Sequence, residues 1–429
     1  MLVLAASIPA AFAQQPDPQL SAYIDAIRVV DNHAHVVAPD PEHDRGFDAL
    51  RCDVLPPGVS APPANLRFGS DIQSAWKALY GFAPASEKEA ESKLASTQAP
   101  IRQQQGENYF DWVLGKAGVD TVLANRVFMA PQLKSPHFRW VPYDDALLFP
   151  LDNSGLKAAN PDRRVLFTMN ELLRKRYLDD AKLTGIPATL EEYLDKMVRP
   201  TLQRQKEAGA VAIKFEVAYL RSLDFEPASD DAAAAVYQKY ATSGTPGAAD
   251  YKILQDFLFH FVTLEAGRLG MAVHIHTGFG CGEFFDDRGA DPMLLESVFN
   301  DESLRKTNFV LLHGGTPFNR HVATTILKPN VYGDTSLMEF LFSAQEMANI
   351  LRPWLELMPE RVIFGSDAGP MGPGYGWEES SWVGTHRAKQ ALAIVLSQMI
   401  RDGVITDARA RDIAEMVLRG NAVKLYRLQ

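Results

Sequence analysis

The chain has 429 residues, 46% of them hydrophobic and 22% charged, with a formal net charge of -10. That composition fits a soluble globular protein with a sizeable core, and α/β barrels run this large as one domain. The acidic balance, with no basic stripe anywhere, excludes a general nucleic-acid binder.

Residues 1–13 carry no charge and end in Ala11-Phe12-Ala13 before Gln14. This reads as the core of a signal peptide with an A-x-A cleavage site, too short to span a bilayer. The usual basic flank is missing, which leaves a start upstream of Met1 open. Export is expected, to the periplasm or beyond, with residues 14–429 as one mature domain. No later segment is apolar for long enough to cross a membrane, so no membrane partner is expected. Cys52 and Cys281 are the only cysteines. Export could join them, but two are no disulfide framework. Cys281, in the Gly278–Gly282 turn, reads as a passive small residue, because no base pairs with it in sequence.

Helical spacing over Gln19–Arg28 leads into a first strand, Val29–His35. Residues 39–63 are rich in proline and aspartate and read as a long loop. Ser70–Tyr80 and Ser86–Gly118 read as helices, the second with an apolar stripe of Tyr109, Trp112, Val113 and Leu114. The stretch from about 39 to 118 is therefore a mostly helical insertion after strand 1, placed to roof a barrel mouth. Seven further strands are expected: Thr121–Phe128, Arg139–Pro150, Ala210–Val217, Met271–His276, Asn308–His313, Asn330–Asp334 and Arg361–Asp367. Helices between them include Leu190–Glu207, Tyr251–Leu269, Met293–Arg305 and Gln345–Leu357, and Thr385–Asp402 and Asp407–Arg419 follow the last strand. Strands alternating with helices demand a parallel sheet, and eight units favour a closed (β/α)8 TIM barrel. An open doubly wound sheet lacks its marker, since no G-x-G-x-x-G follows strand 1.

Barrel enzymes work at the C-terminal ends of their strands. Strand 1 ends there in His33 and His35, which alternation puts on one face. Strand 4 brings Lys214, strand 5 His274 and His276, strand 6 His313 and strand 8 Asp367. Ionisable groups that end buried strands are costly unless paired or metal-bound. Imidazoles with one carboxylate suit zinc, with manganese or iron as alternatives. His274 lies one layer deeper and reads as a hydrogen-bonded interior histidine.

The sequence resembles the amidohydrolase superfamily, in its amidohydrolase-related branch. The resemblance rests on Asp31-Asn32-His33-Ala34-His35, Val273-His274-Ile275-His276-Thr277-Gly278, Leu312-His313-Gly314-Gly315, Phe364-Gly365-Ser366-Asp367 and the closing Gly420–Tyr426. It implies a divalent-metal hydrolase in which His33, His35, His276 and Asp367 hold the ion and Asp367 shuttles a proton from activated water. It further implies that His313 binds a second metal or, with one metal, donates a proton or stabilises an oxyanion. Lys214 bridges two ions if carboxylated, or else pairs with Asp367 or Glu216. Both readings stand at this point, so one ion or two are expected.

Substrate contacts are expected from Tyr219 and Arg221 after strand 4, Glu283 after strand 5 and Arg320 after strand 6. Arg221 either clamps a carboxylate or pairs with Asp224 or Glu226. The Gly369–Gly376 loop is a candidate lid or an inert rim. The substrate is expected to be a small molecule with an amide, ester or lactone carbonyl, and a homo-oligomer is left open. Non-oxidative decarboxylation of a small carboxylic acid is the alternative, sugar-acid isomerisation a third, and a non-catalytic binding barrel the contrasting class.

Overall fold

A computed structural model describes residues 15–37, 69–82, 84–133, 135–371 and 375–428. Eight short parallel strands form the centre: β1 Val29–Ala34, β2 Val119–Asn125, β3 Phe138–Val141, β4 Ala212–Phe215, β5 Ala272–His276, β6 Phe309–Leu312, β7 Val331–Asp334 and β8 Val362–Ile363. Regular pairing runs β1-β2-β3 and β4 through β8. Backbone hydrogen bonds join the two runs into a ring. At β3–β4, Val211 N donates to Trp140 O at 3.1 Å and Lys214 N to Pro142 O at 2.8 Å. At β8–β1, Asn32 N donates to Phe364 O at 3.0 Å and His35 N to Ala368 O at 2.7 Å. The (β/α)8 barrel expected from alternation is the fold.

Inward residues from every strand stack beneath the mouth. Val30, Leu123, Val141, Ala212, Ala272, Val310, Tyr332 and Ile363 form this layer, and Ala422 and Tyr426 of the terminal Asn421–Tyr426 helix close it from below. Outward residues such as Ile213, Phe215, Val273 and Leu311 pack under the surrounding helices.

Strand 3 ends earlier than expected. Pro142 has no N–H to continue the ladder, and Asp145–Leu148 turns into one 3-10 turn. Strand 8 is regular only over two residues, and the chain beyond it still pairs with β1 through Phe364 O and Asp367 N. Two helices escaped the sequence reading, Pro161–Asp180 and Asp230–Tyr240. The first buries Asp162, Phe167, Asn170, Leu173 and Tyr177 amid charged residues, too narrow an apolar stripe to stand out. Leu190–Glu207 is helical throughout, with a π turn at Leu194–Val198.

The insertion is helical where it is described: Ser70–Tyr80, Glu87–Gln105 and Tyr109–Ala117. Ile72, Trp76, Leu79 and Leu94 pack with Leu337, Phe340, Tyr375 and Val383 of the β7 and β8 connections. The insertion therefore roofs the mouth. Its anchor is the Trp377–Arg401 helix, where Arg102 Nη2 and Tyr109 Oη donate to Glu378 Oε1 at 2.6 and 2.9 Å. Glu379, wholly buried, accepts from Gly376 N at 2.9 Å and Gln98 Nε2 at 3.3 Å.

Burial, reinforced by the Glu378 charge, pushes the Glu379 carboxyl up to about 8. An unfolded glutamate ionises near ~4.3, so the folded chain keeps a proton the unfolded chain has lost in between. Stability from this group is complete below about pH 4 and drains away as pH rises toward 8. The Glu379→Gln variant, neutral at every pH, should gain on wild type by on the order of 3 kcal/mol between pH 5 and 8. Denaturant unfolding across that range checks it, and a pH-independent difference between the two proteins contradicts it.

Candidate metal centre

β1 leads into the site through Val29 and Val30, which anchor it in the core, and its register slips between Asp31 and Ala34. The slip leaves His33 and His35 facing one point. His33 Nε2 lies 3.1 Å and His35 Nε2 3.2 Å from the same atom, Asp367 Oδ1. His313, at the end of β6, stands with its Nδ1 4.0 Å from Asp367 Oδ2. Among the described residues, His33, His313 and Asp367 offer ligand atoms within 4.8 Å of one another. The imidazoles of His33 and His313 are 5.3 Å apart between ring centres, and those of His276 and His313 4.5 Å.

Backbone geometry aims these groups. His313, Gly314 and Gly315 all have left-handed φ, at 67°, 60° and 61°. A Cβ on Gly314 would meet Met338 Sδ at 2.4 Å, so the turn needs glycine for space as well as torsion. Left-handed backbone at His313 and Asp367 costs about 1–3 kcal/mol each, a cost typical of functional positions.

Supporting bonds fix the rings. His35 Nδ1 is 3.1 Å from Tyr143 Oη, and His313 Nδ1 is 3.0 Å from Ser336 Oγ. Asp31 accepts from Ser366 N at 2.9 Å, Ser366 Oγ at 2.5 Å and His33 N at 3.2 Å, tying β1 to β8. Burial pushes Asp31 up to about 7 and Asp334 to about 6.

Asp367 Oδ1 is buried with the Nε2 atoms of His33 and His35 beside it, and His33 Nδ1 has no hydrogen-bond partner among the described residues. Burial and the positive Lys214 hold His33 well below its usual range and His276 down to about 3. His313 is also held well below, by burial and by His276. Burial works against the Asp367 carboxylate, but the imidazoles of His313, His33 and His35 outweigh it and keep its pKa well below normal. Neutral imidazoles crowding one carboxylate oxygen form a donor set for a divalent cation. The residues present fit a metal.

The other expected residues divide. His276 lies beside the cluster, but its Nε2 pairs with Phe279 O at 3.0 Å, so only Nδ1 is left for an ion. Lys214 is fully buried, with Nζ 3.5 Å from His33 Nε2. No carboxylate pairs with it within 4.0 Å among the described residues, though Glu216 and Asp367 act on it through space. His274 is the interior histidine expected, with Nε2 2.7 Å from Tyr426 Oη. Tyr219 stacks on His276 at 4.5 Å and on Phe285 at 5.1 Å, forming an aromatic wall.

Arg221 is engaged within the protein. Its guanidinium bonds Asp256 Oδ1 at 2.8 Å, Gln255 Oε1 at 3.1 Å and Asp224 O at 2.7 Å, and lies over the Phe225 ring. Its expected partners Asp224 and Glu226 contribute only that Asp224 carbonyl. Glu283 and Arg320 are exposed. Cys281 is disulfide-bonded, not a passive thiol, and Cys52, the chain's other cysteine, lies outside the described residues. Of the expected lid, Met371 and Tyr375 pack into the roof, and 372–374 lie outside the described residues. Sequence reasoning missed Tyr143, Asp334 and Ser336, which hold the histidines. Asp334, which ends β7 as Asp367 ends its own segment, was the one legible signal.

A parallel barrel whose C-terminal mouth gathers imidazoles around a carboxylate defines a class of metal-dependent enzymes. The Amidohydrolase family model matches residues 144–428, and the chain belongs to that family. Protein fluG of Emericella nidulans is 26% identical over 235 residues, which cover 52% of this chain and 26% of that protein. The chain thus spans about a quarter of the length of that curated relative. A structure from Lactobacillus casei described as a metal-dependent hydrolase superposes with a TM-score of 0.61 at 16% identity, covering 96% of this chain and 98% of the other. A uronate isomerase of Thermotoga maritima gives 0.57 at 14%, covering 97% and 100%, and a glucuronate isomerase of Caulobacter crescentus 0.55 at 13%, covering 99% and 96%. At these identities the likeness is one of fold.

Replacing Arg221 with methionine should cost about 2–4 kcal/mol of stability, because Asp256 and Gln255 lose a buried partner. Metal content should stay unchanged. Unfolding curves with elemental analysis check this, and unaltered stability would restore Arg221 as a candidate ligand of the substrate.

Proposed function

We propose that the chain is a metal-dependent hydrolase that opens an amide, ester or lactone carbonyl of a small molecule. The observation that carries the reading is Asp367 Oδ1, buried between two histidine nitrogens at 3.1 and 3.2 Å. His33, His35 and Asp367 would hold the cation, with His313 and the Nδ1 edge of His276 beside it. Zinc suits this donor set best.

When bound, a divalent ion supplies Lewis acidity and lowers the pKa of water. Asp367, ionised in this setting, accepts a proton at its carboxylate and later returns it to the leaving group. His313 stands on the far side of that carboxylate, where it would stabilise charge developing on the carbonyl oxygen. The roof helices and the Tyr219–Phe285 wall exclude water and limit substrate size. The disulfide at Cys281 supports export to an oxidising compartment. No helix among the described residues is long and apolar enough to cross a membrane.

Purified protein should carry one or two divalent ions per chain, with intact mass showing whether Lys214 bears a carboxylate. Asp367→Asn and His35→Ala should each lose most of that metal, keep the far-UV circular dichroism, and lower turnover on a panel of amides, esters and lactones by about a thousandfold or more. Full turnover after chelation, or in both variants, would overturn the reading. Carbon dioxide release without hydrolysis would replace it with decarboxylation.

A further inference from the structure

A chain of buried polar groups runs up the barrel from its floor to the metal centre. His274 Nε2 is 2.7 Å from Tyr426 Oη, which is bonded to Asn32 Oδ1. Asn32 Nδ2 donates to Asp334 Oδ2 at 2.8 Å. Ser336 Oγ donates to Asp334 Oδ1, and the same oxygen is 3.0 Å from His313 Nδ1. His274, Asn32, Asp334 and Ser336 have no exposed surface, and Tyr426 and His313 very little.

The direction of every bond follows from what each atom can do. An amide oxygen only accepts, so the Tyr426 hydroxyl donates to Asn32 Oδ1 and its oxygen takes the proton of His274 Nε2. Asn32 Nδ2 then faces Asp334, whose carboxylate also accepts from Ser336 N at 2.8 Å and His313 N at 3.4 Å. With four donors around it, Asp334 takes the Ser336 hydroxyl proton. The Ser336 oxygen is left to accept, and His313 must present N–H at Nδ1 and an electron pair at Nε2.

We propose that Tyr426, in the last helix of the chain, is a positioning residue for the metal centre, fixing the tautomer and ring orientation of His313 through Asn32, Asp334 and Ser336. The floor layer explains why the task falls to a tyrosine. Its ring packs among Val30, Val310 and Ile363, where a phenylalanine would fill the same space. Only the hydroxyl joins the floor to Asn32, between the two strand-1 groups that face the ion and the β7 carboxylate. Without it Asn32 Oδ1 loses its donor, and the amide whose Nδ2 orients the Asp334 carboxylate is no longer held from below.

The test compares Tyr426→Phe with Tyr332→Phe, which removes a hydroxyl from the same floor layer but outside the chain of bonds. Full-length metal-free protein labelled with 15N-histidine reports imidazole tautomers directly, with His313 assigned by its absence in His313→Gln. Tyr426→Phe should move the His313 signal from Nδ1–H toward a mixture and weaken Co2+ binding about tenfold, as loss of an outer partner of a ligand does. Tyr332→Phe should change neither. Should Tyr426→Phe fail to fold, Asn32→Ala breaks the chain one link further and should shift the same signal. An unmoved His313 signal with Co2+ affinity within twofold of wild type, in a folded variant, overturns the proposal. The Co2+ arm rests on the metal reading above; wild-type protein that binds no Co2+ would refute that reading while the tautomer arm still decides this one.

Discussion

The seam between β8 and β1 is where this protein becomes more than a fold. Asp367 N donates to His33 O at 2.7 Å, and His35 N to Ala368 O at 2.7 Å. These bonds remove the last open edges of the sheet. The same two bonds seat the Asp367 carboxylate between two imidazoles that are hundreds of residues away along the chain. Closing the barrel and assembling the centre are thus one event. The left-handed turn at Asp367 is the local cost of it.

Above the floor layer the barrel holds many buried polar groups, among them Asp31, His33, Lys214, Asp334 and Ser336, and such groups are costly unless satisfied. Lys214 is the single cation set among Glu216, Asp145, Asp334 and Asp367, and burial still lowers its pKa. Asp31, in β1, binds Ser366 after β8, and Asp334, at the end of β7, binds Asn32 of β1 and His313 N after β6. Among the buried polar atoms without partners, Asp367 Oδ1 and His33 Nδ1 lie at the centre itself, and others, such as Asp144 Oδ2, Asp145 Oδ1 and His274 Nδ1, lie elsewhere in the interior.

Much of this was legible in the sequence, for physical reasons. A strand displays alternate residues on one face, so Ala272, His274 and His276 rise in order from floor to mouth as the spacing demands. Strand-end placement of His33, His313 and Asp367 followed from the barrel rule alone. Arg221 misled because a loop arginine near a mouth reads the same whether it meets substrate or Asp256, and only packing against the Tyr251-bearing helix separates the two. The partners Tyr143, Ser336 and Tyr426 come from distant strands or from the last helix, and their meeting depends on register and helix placement that no local pattern encodes. The helix at Pro161–Asp180 did carry a start signal, Asn160 capping ahead of Pro161.

The central claim is that His33 and His35 share one divalent cation with Asp367. X-ray absorption at the metal edge of zinc-loaded protein tests it most directly. The account predicts nitrogen and oxygen neighbours at about 2.0–2.1 Å with the multiple scattering of at least two imidazoles, reduced to fewer in His35→Ala. A spectrum of oxygen neighbours without imidazole scattering, or one unchanged by that substitution, would contradict it.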